Sequence, residues 1–145
     1  MGMKNVRQLV EEKGKRIISV APGGSVLDAL KLMAEHDIGA VLVVEGGTLV
    51  GIFSERDYAR KVILHGKASK DTAVREIMTE KVYYVSPSQT VEESMALMTE
   101  KHIRHLPVLD TDKKVIGIVS IGDLVKEIIS EQESIIKHLE AYIAG

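Results

Sequence analysis

Two hydrophobic periods alternate along this chain. Residues 17–20 form a short β-branched run closed by Ala21-Pro22-Gly23-Gly24. Ser25 then stands where a helix N-cap belongs, with Asp28 three residues on in the manner of a capping box. Val26, Ala29, Leu30, Met33 and Ala34 follow at helical spacing and predict an amphipathic helix ending near His36. Residues 40–44 and 49–53 read as strands joined through Gly46-Gly47, a dipeptide that accepts the positive φ of a tight hairpin. Ser54 and Asp57 then open a second helix that runs to about Leu64.

The same order returns. A strand over residues 82–85 precedes a helix capped by Thr90, strands over 106–109 and 115–119 turn at Asp110-Thr111-Asp112, and a helix starts after Ser120. Val20, Pro22, Val26, Leu32, Met33, Glu35, Ile38 and Val43 recur 65 positions later as Val85, Pro87, Val91, Leu97, Met98, Glu100, Ile103 and Val108. One extra residue in the second copy sets the spacing to 66, and Gly51, Ile52, Ser54 and Asp57 recur as Gly117, Ile118, Ser120 and Asp123. Upstream, Val6-Arg7-Gln8-Leu9 resembles Val74-Arg75-Glu76-Ile77. Each unit is β-α-β-β-α, which predicts a mixed fold of the α/β (α+β) class with two similar halves about a pseudo-twofold axis. Clefts between such halves are where function is expected. The expected division is residues 6–65, residues 74–129, and an amphipathic helical extension over 130–145. The extension follows from Ile128, Ile129, Gln132, Ile135, Ile136, Leu139 and Ile143, which step by three or four with one polar interruption. That stripe either folds back on its own domain or joins two copies as a homodimer.

Composition narrows the function. Aromatic content is 3%, with no Trp, which argues against base-stacking platforms for nucleic acid. The net charge is −2 with Lys and Arg scattered, so no nucleic-acid stripe is expected. The absence of cysteine removes disulfides, thiolate chemistry and sulfur-based zinc sites. The apolar runs are far short of a membrane span, and no leader pattern opens the chain, so a cytoplasmic protein away from membranes is expected. Met1-Gly2 suggests a myristoylation start, but Val6 stands where that signal needs Ser or Thr.

The chemistry gathers after the third strand of each copy, in GIFSERD (Gly51 to Asp57) and GIVSIGD (Gly117 to Asp123). Ser-x-x-Asp is a helix cap in its own right. The same geometry can bind a nucleotide. Free N–H groups at a helix N-terminus attract phosphate, the Gly lets a ligand approach the backbone, and the carboxylate can accept both hydrogens of a ribose diol. The spacing leaves both readings open. His102 and His105 have a chelating spacing, but the segment enters a strand before Pro107 and no third ligand stands nearby, so no metal is expected.

The tandem units, the two Ser-x-x-Asp segments and His102-Ile103-Arg104-His105-Leu106-Pro107-Val108 together resemble paired CBS domains, the cystathionine β-synthase type or Bateman module, over residues 6–129. The resemblance implies two three-stranded sheets packed together, with two equivalent clefts that bind AMP, ADP, ATP, NAD or S-adenosylmethionine. By it, Asp57 and Asp123 match the ribose-binding Asp, and Ser54 and Ser120 the hydroxyl near ribose or phosphate. Arg104 and His105 fall where phosphate-contacting residues stand. The adenine would lie against Ile18, Val20, Tyr83 and Val85, with Pro107 in the same wall.

The copies differ where it bears on mechanism: Arg104-His105 replaces Gly39-Ala40, and Glu55-Arg56 becomes Ile121-Gly122. The pocket cations, Arg56 and Arg104, are thus shared out between copies, and two unequal sites are expected. The function expected is a regulatory module that senses adenylate or NAD state and signals to a partner protein. The alternative is a ligand-free dimeric scaffold. Catalysis is not expected, since no nucleophile elbow or phosphate loop is present.

Overall fold

The computed structural model describes residues 4–14 and 17–144, so Met1-Gly2 lies outside the described residues. In chain order the elements are α1 (Val6–Glu12), β1 (Ser19–Val20), α2 (Val26–His36), β2 (Ala40–Glu45) and β3 (Thr48–Ser54). A turn of helix, α3 (Glu55–Asp57), continues as π-helix over Tyr58–Ile63, and short 3₁₀ turns follow at Ser69–Asp71 and Val74–Glu76. Then come α4 (Val91–Lys101), β4 (His105–Leu109), β5 (Val115–Ser120) and α5 (Ile121–Ala144). The class is mixed α+β, with two small sheets and a long C-terminal helix.

The described chain falls into two compact units, one of residues 17–83 and one joining residues 4–14 to 84–144. In the first, β1 pairs parallel with β2, and β2 antiparallel with β3. Gly46 (φ +58°) and Gly47 (φ +81°) take the positive φ that this tight hairpin needs. Ser25 Oγ accepts from the Asp28 N–H at 3.0 Å to start α2, which closes on Asp37 in the left-handed region. Apolar residues of α2, β2 and β3 meet in a core of Val26, Met33, Val41, Val43 and Phe53, completed by Val62, Val74 and Ile77.

The second unit repeats this plan on β4 and β5. Thr90 Oγ1 accepts from the Glu93 N–H at 3.0 Å, Glu93 Oε1 accepts from the Thr90 N–H at 3.1 Å, and α4 closes on left-handed His102. Its buried residues include Val85, Val91, Met98, Leu106, Val119 and Leu124, joined by Val6, Leu9 and Val10 of α1. The hydrophobic pattern does not single out α1. Its signal is a capping box, with Asn5 Oδ1 accepting from the Gln8 N–H at 3.0 Å and Gln8 Oε1 from the Asn5 N–H at 2.8 Å.

One expectation needs correcting. The second sheet has two strands rather than three, because residues 82–85 supply only Val85, bridged to Val108. Val85 donates to the Pro107 carbonyl and accepts from the Leu109 N–H, both at 3.0 Å. The next rung upstream would need an N–H at position 107, which proline lacks, so the ladder stops there. The first copy has Leu42 at the matching place, and β1 extends to Ser19 opposite it. The C-terminal extension is the continuation of the last helix that the stepping apolar residues predict. α5 is one helix of 24 residues from Ile121 to Ala144, and its outer part does not fold back. Ile135, Ile136 and Leu139 are about half exposed and Ile143 is 83% exposed.

Candidate functional site

Each copy builds the junction between its last strand and the following helix in the same way. The Glu55 N–H donates to the Gly39 carbonyl at 3.0 Å, and the Ile121 N–H to the Arg104 carbonyl at 2.8 Å. Ser54 lies opposite Ala40 in the sheet register, and Ser120 opposite His105. The hairpin therefore delivers a Ser to the first turn of each helix, with the Asp three residues on.

In the first copy the Asp is consumed by its surroundings. Asp57 Oδ2 accepts from the Ser54 N–H at 3.0 Å and from Ser54 Oγ at 3.2 Å, while the Asp57 N–H returns a bond to Ser54 Oγ at 3.3 Å. Oδ1 accepts from Thr79 Oγ1 at 3.0 Å and pairs with Lys61 Nζ at 3.2 Å. The Asp57 side chain is 9% exposed. A ribose diol arriving here has to displace bonds already made to both oxygens.

Asp123 is placed differently. Its Oδ2 accepts from the Ser120 N–H at 2.8 Å and from Lys13 Nζ at 2.8 Å, and its side chain is 27% exposed. Lys13 also donates to the Ile118 carbonyl at 3.0 Å, which locks the ammonium over the junction. Burial by itself pushes the Asp123 carboxyl up. The Lys13 ammonium and the Ser120 N–H and hydroxyl outweigh it, holding the group below its ordinary value of 3.8. Asp123 is thus a carboxylate at neutral pH at the N-terminus of a long helix. A groove of about 230 Å³ opens beside it, lined by Lys4, Leu9, Glu12, Lys13, Lys126 and Glu127.

The second copy brings together four of the expected residues. Ser120 and Asp123 cap the helix, half-buried His105 opens β4 opposite Ser120, and exposed Arg104 precedes it with its carbonyl on the first turn of α5. Exposed Arg56 occupies the first turn of α3. Half-buried Ile18 and Val20 pack against the core of residues 17–83. Tyr83 is half-buried with Lys81 Nζ 5.6 Å from its ring centre. Val85 and Pro107 are buried, and the Pro107 carbonyl is taken by the Val85 N–H.

Sequence reasoning missed Lys61, Thr79 and Lys13. Lys61 was within reach as the i+4 neighbour of Asp57 on a helix. Thr79 and Lys13 carry no local signal. The glycines also do a different job from the one expected. A Cβ on Gly51 would stand 2.7 Å from Met78 Sδ, and one on Gly117 2.7 Å from Val10 Cγ1. Both admit a neighbouring segment of the chain rather than a ligand. Among the described residues no three His, Asp or Glu side chains gather as a metal site, and left-handed His102 serves as the C-cap of α4. No helix among them is long and apolar enough to cross a membrane.

Comparison with known proteins places this geometry among relatives. The sequence model of the CBS domain matches residues 6–64 and again 74–130. The solved structure of a protein with CBS domains from Burkholderia ambifaria MC40-6 is 55% identical, with a TM-score of 0.85 over 89% of this chain and 96% of that one. The CBS domain pair of protein MJ0100, solved in complex with 5′-methylthioadenosine and S-adenosyl-L-methionine, is 26% identical. Its TM-score is 0.80, covering 90% of this chain and 99% of that one. The mitochondrial CBS domain-containing protein CBSX3 of Arabidopsis thaliana is 47% identical over 126 residues, which are 83% of this chain. The chain spans 61% of that relative's length. None of the three carries an enzyme's name, and the compartment named for the third differs from the cytoplasmic one expected above.

Proposed function

Since this chain belongs to the CBS-domain family, matched twice along its length, we propose that it is a regulatory module for an adenosine-containing ligand of the AMP, ADP, ATP or NAD class. The ligand sits at the junction of the second copy, and the module works as a homodimer that signals to a partner protein and carries out no catalysis. The observation that carries this reading is Asp123. It is ionised, partly open to solvent, and stands at the mouth of a groove with Lys13 and Lys126. A carboxylate accepts both hydrogens of a ribose diol, while Arg104, the lysines and the N-terminus of α5 attract phosphate. The adenosine ligands of the MJ0100 pair support the ligand class. The lysines favour a phosphate-bearing member of it. Signalling requires that the ligand bind one conformation better than another.

A second reading is favoured by Asp57, whose oxygens are both engaged by protein groups. The first copy then serves only as structure, and if the second does likewise the chain is a scaffold. Thermal unfolding against AMP, ADP, ATP, NAD, NADH and S-adenosylmethionine, with GTP as control, separates the two. A ligand at about 100 times its dissociation constant adds roughly 2.7 kcal/mol, a shift of several degrees at this size. We expect that shift with adenosine phosphates and its loss in Asp123→Ala. No shift with any member of the panel leaves the scaffold.

A further inference from the structure

A carboxylate offers about four lone-pair sites, two on each oxygen. On Asp123, Oδ2 has both of its own filled, by the Ser120 N–H and by Lys13 Nζ, each at 2.8 Å. A ribose diol held by both oxygens of the carboxylate needs one of those two places. The Ser120 N–H cannot yield. It belongs to the backbone that opens α5, where the Asp123 N–H returns a bond to Ser120 Oγ at 3.2 Å. Lys13 is therefore the group that has to leave.

Lys13 is built to move without its helix. Val6, Leu9 and Val10 anchor α1 in the core, while the Lys13 side chain is 42% exposed. The residue is the C-cap of α1, followed by Gly14 at φ +89° with open space about it. Its ammonium rides on a flexible four-carbon stem with three rotatable donors. The 5′-phosphate of a nucleotide lies one sugar ring from the diol, within the swing of such a stem.

Charge decides what that movement costs. A nucleoside takes the place of Lys13 on Asp123 and leaves the ammonium with no anion in exchange. A nucleotide brings its own anion, so one ion pair is lost and another is made. We propose, resting on the adenosine site inferred above, that Lys13 makes this site select nucleotides over nucleosides: it gives up Asp123 to the ribose diol and turns to the phosphate of the same ligand. The groove's other lysines do not couple the two events. Lys4 is paired with Glu12 and stands 3.8 Å from Glu127, and exposed Lys126 makes no bond to Asp123. Nor does the first copy repeat the device. Lys61 pairs with Asp57 and donates to the Ile77 carbonyl at 3.1 Å, but Thr79 Oγ1 holds the same Asp57 oxygen, so release of Lys61 alone does not open it.

Titration calorimetry of the full chain with AMP and with adenosine tests the exchange. We expect the unaltered chain to bind AMP more tightly than adenosine. In Lys13→Met adenosine binds about fivefold tighter, the upper value for loss of a competing half-exposed ion pair. AMP changes little, because the variant loses the competitor and the phosphate contact together. Lys61→Met leaves both affinities as they are. Weaker AMP with unchanged adenosine in Lys13→Met makes Lys13 a phosphate contact alone and overturns the exchange. Weaker binding of both ligands makes it a prop for Asp123 and overturns the exchange as well. So does a gain for adenosine in Lys61→Met in place of Lys13→Met, which moves the competition to the first copy. In each of those cases the nucleotide site stands. No heat with AMP, adenosine, ADP, ATP or NAD overturns the site, and the exchange with it.

Discussion

Lys13, 110 positions away in the chain, holds the Asp123 carboxylate in its charged form. A folded-state pKa below the ordinary value adds stability above that value, and the stability is lost as the pH falls through the folded pKa. Chemical unfolding of the protein between about pH 5 and pH 2.5 is therefore expected to show an acid limb to which Asp123 contributes. Lys13→Met shallows that limb, whereas at neutral pH it costs only about 0–1 kcal/mol, as half-exposed pairs do. A limb of unchanged slope in Lys13→Met shows that the ion pair is not what holds the carboxylate down. The Ser-x-x-Asp spacing is readable from sequence because a helix cap is local. The different surroundings of Asp57 and Asp123 are not, because Thr79 and Lys13 reach them only through the fold.

At the scale of elements, the repeat is read twice by the same physics. Caps at Ser25 and Thr90, closures at Asp37 and His102, and the two hairpins all answer to sequence patterns within a few residues. The departures come from single residues. Pro107 ends a ladder that Leu42 continues, and Gly51 and Gly117 clear space for a neighbour. Gly117→Ala is expected to destabilise by about 1–3 kcal/mol, the cost of overpacking against stiff, branched Val10. Gly51→Ala falls at the lower end of that range, since the nearest atom is the flexible Met78 sulfur. Denaturant midpoints of the two variants check the order. Equal midpoints with the unaltered chain would assign both glycines to something other than packing.

For the whole molecule, the informative fact is which segments share a unit. The segment before the first copy, α1, sits with the second copy, where Val6, Leu9 and Val10 join its core. The matching segment before the second copy sits with the first: Val74 and Ile77 enter the other core, and Thr79 exchanges two backbone bonds with Ile52 at 3.0 and 2.9 Å. The likeness of Val6-Arg7-Gln8-Leu9 to Val74-Arg75-Glu76-Ile77 reflects this shared task. Removing the chain through Gly14 strips three buried side chains from one unit and is expected to cost roughly 5 kcal/mol or more. Calorimetry of the shortened chain, showing a transition lost or far lowered, measures it. An unshifted transition means that α1 adds nothing to that core.

The sequence alone determined the duplication, the order of strands and helices apart from α1 and the strand expected over residues 82–85, both caps and the apolar stripe of α5, because periodicity and capping act over a few residues. It also carried the family, because degenerate motifs become specific when they recur in order. Only the tertiary structure decided that Asp57 is enclosed while Asp123 stays partly open, that the glycines serve packing, and that the outer half of α5 is left uncovered. Those outcomes depend on contacts between residues tens of positions apart, and such contacts exist only once the chain has folded.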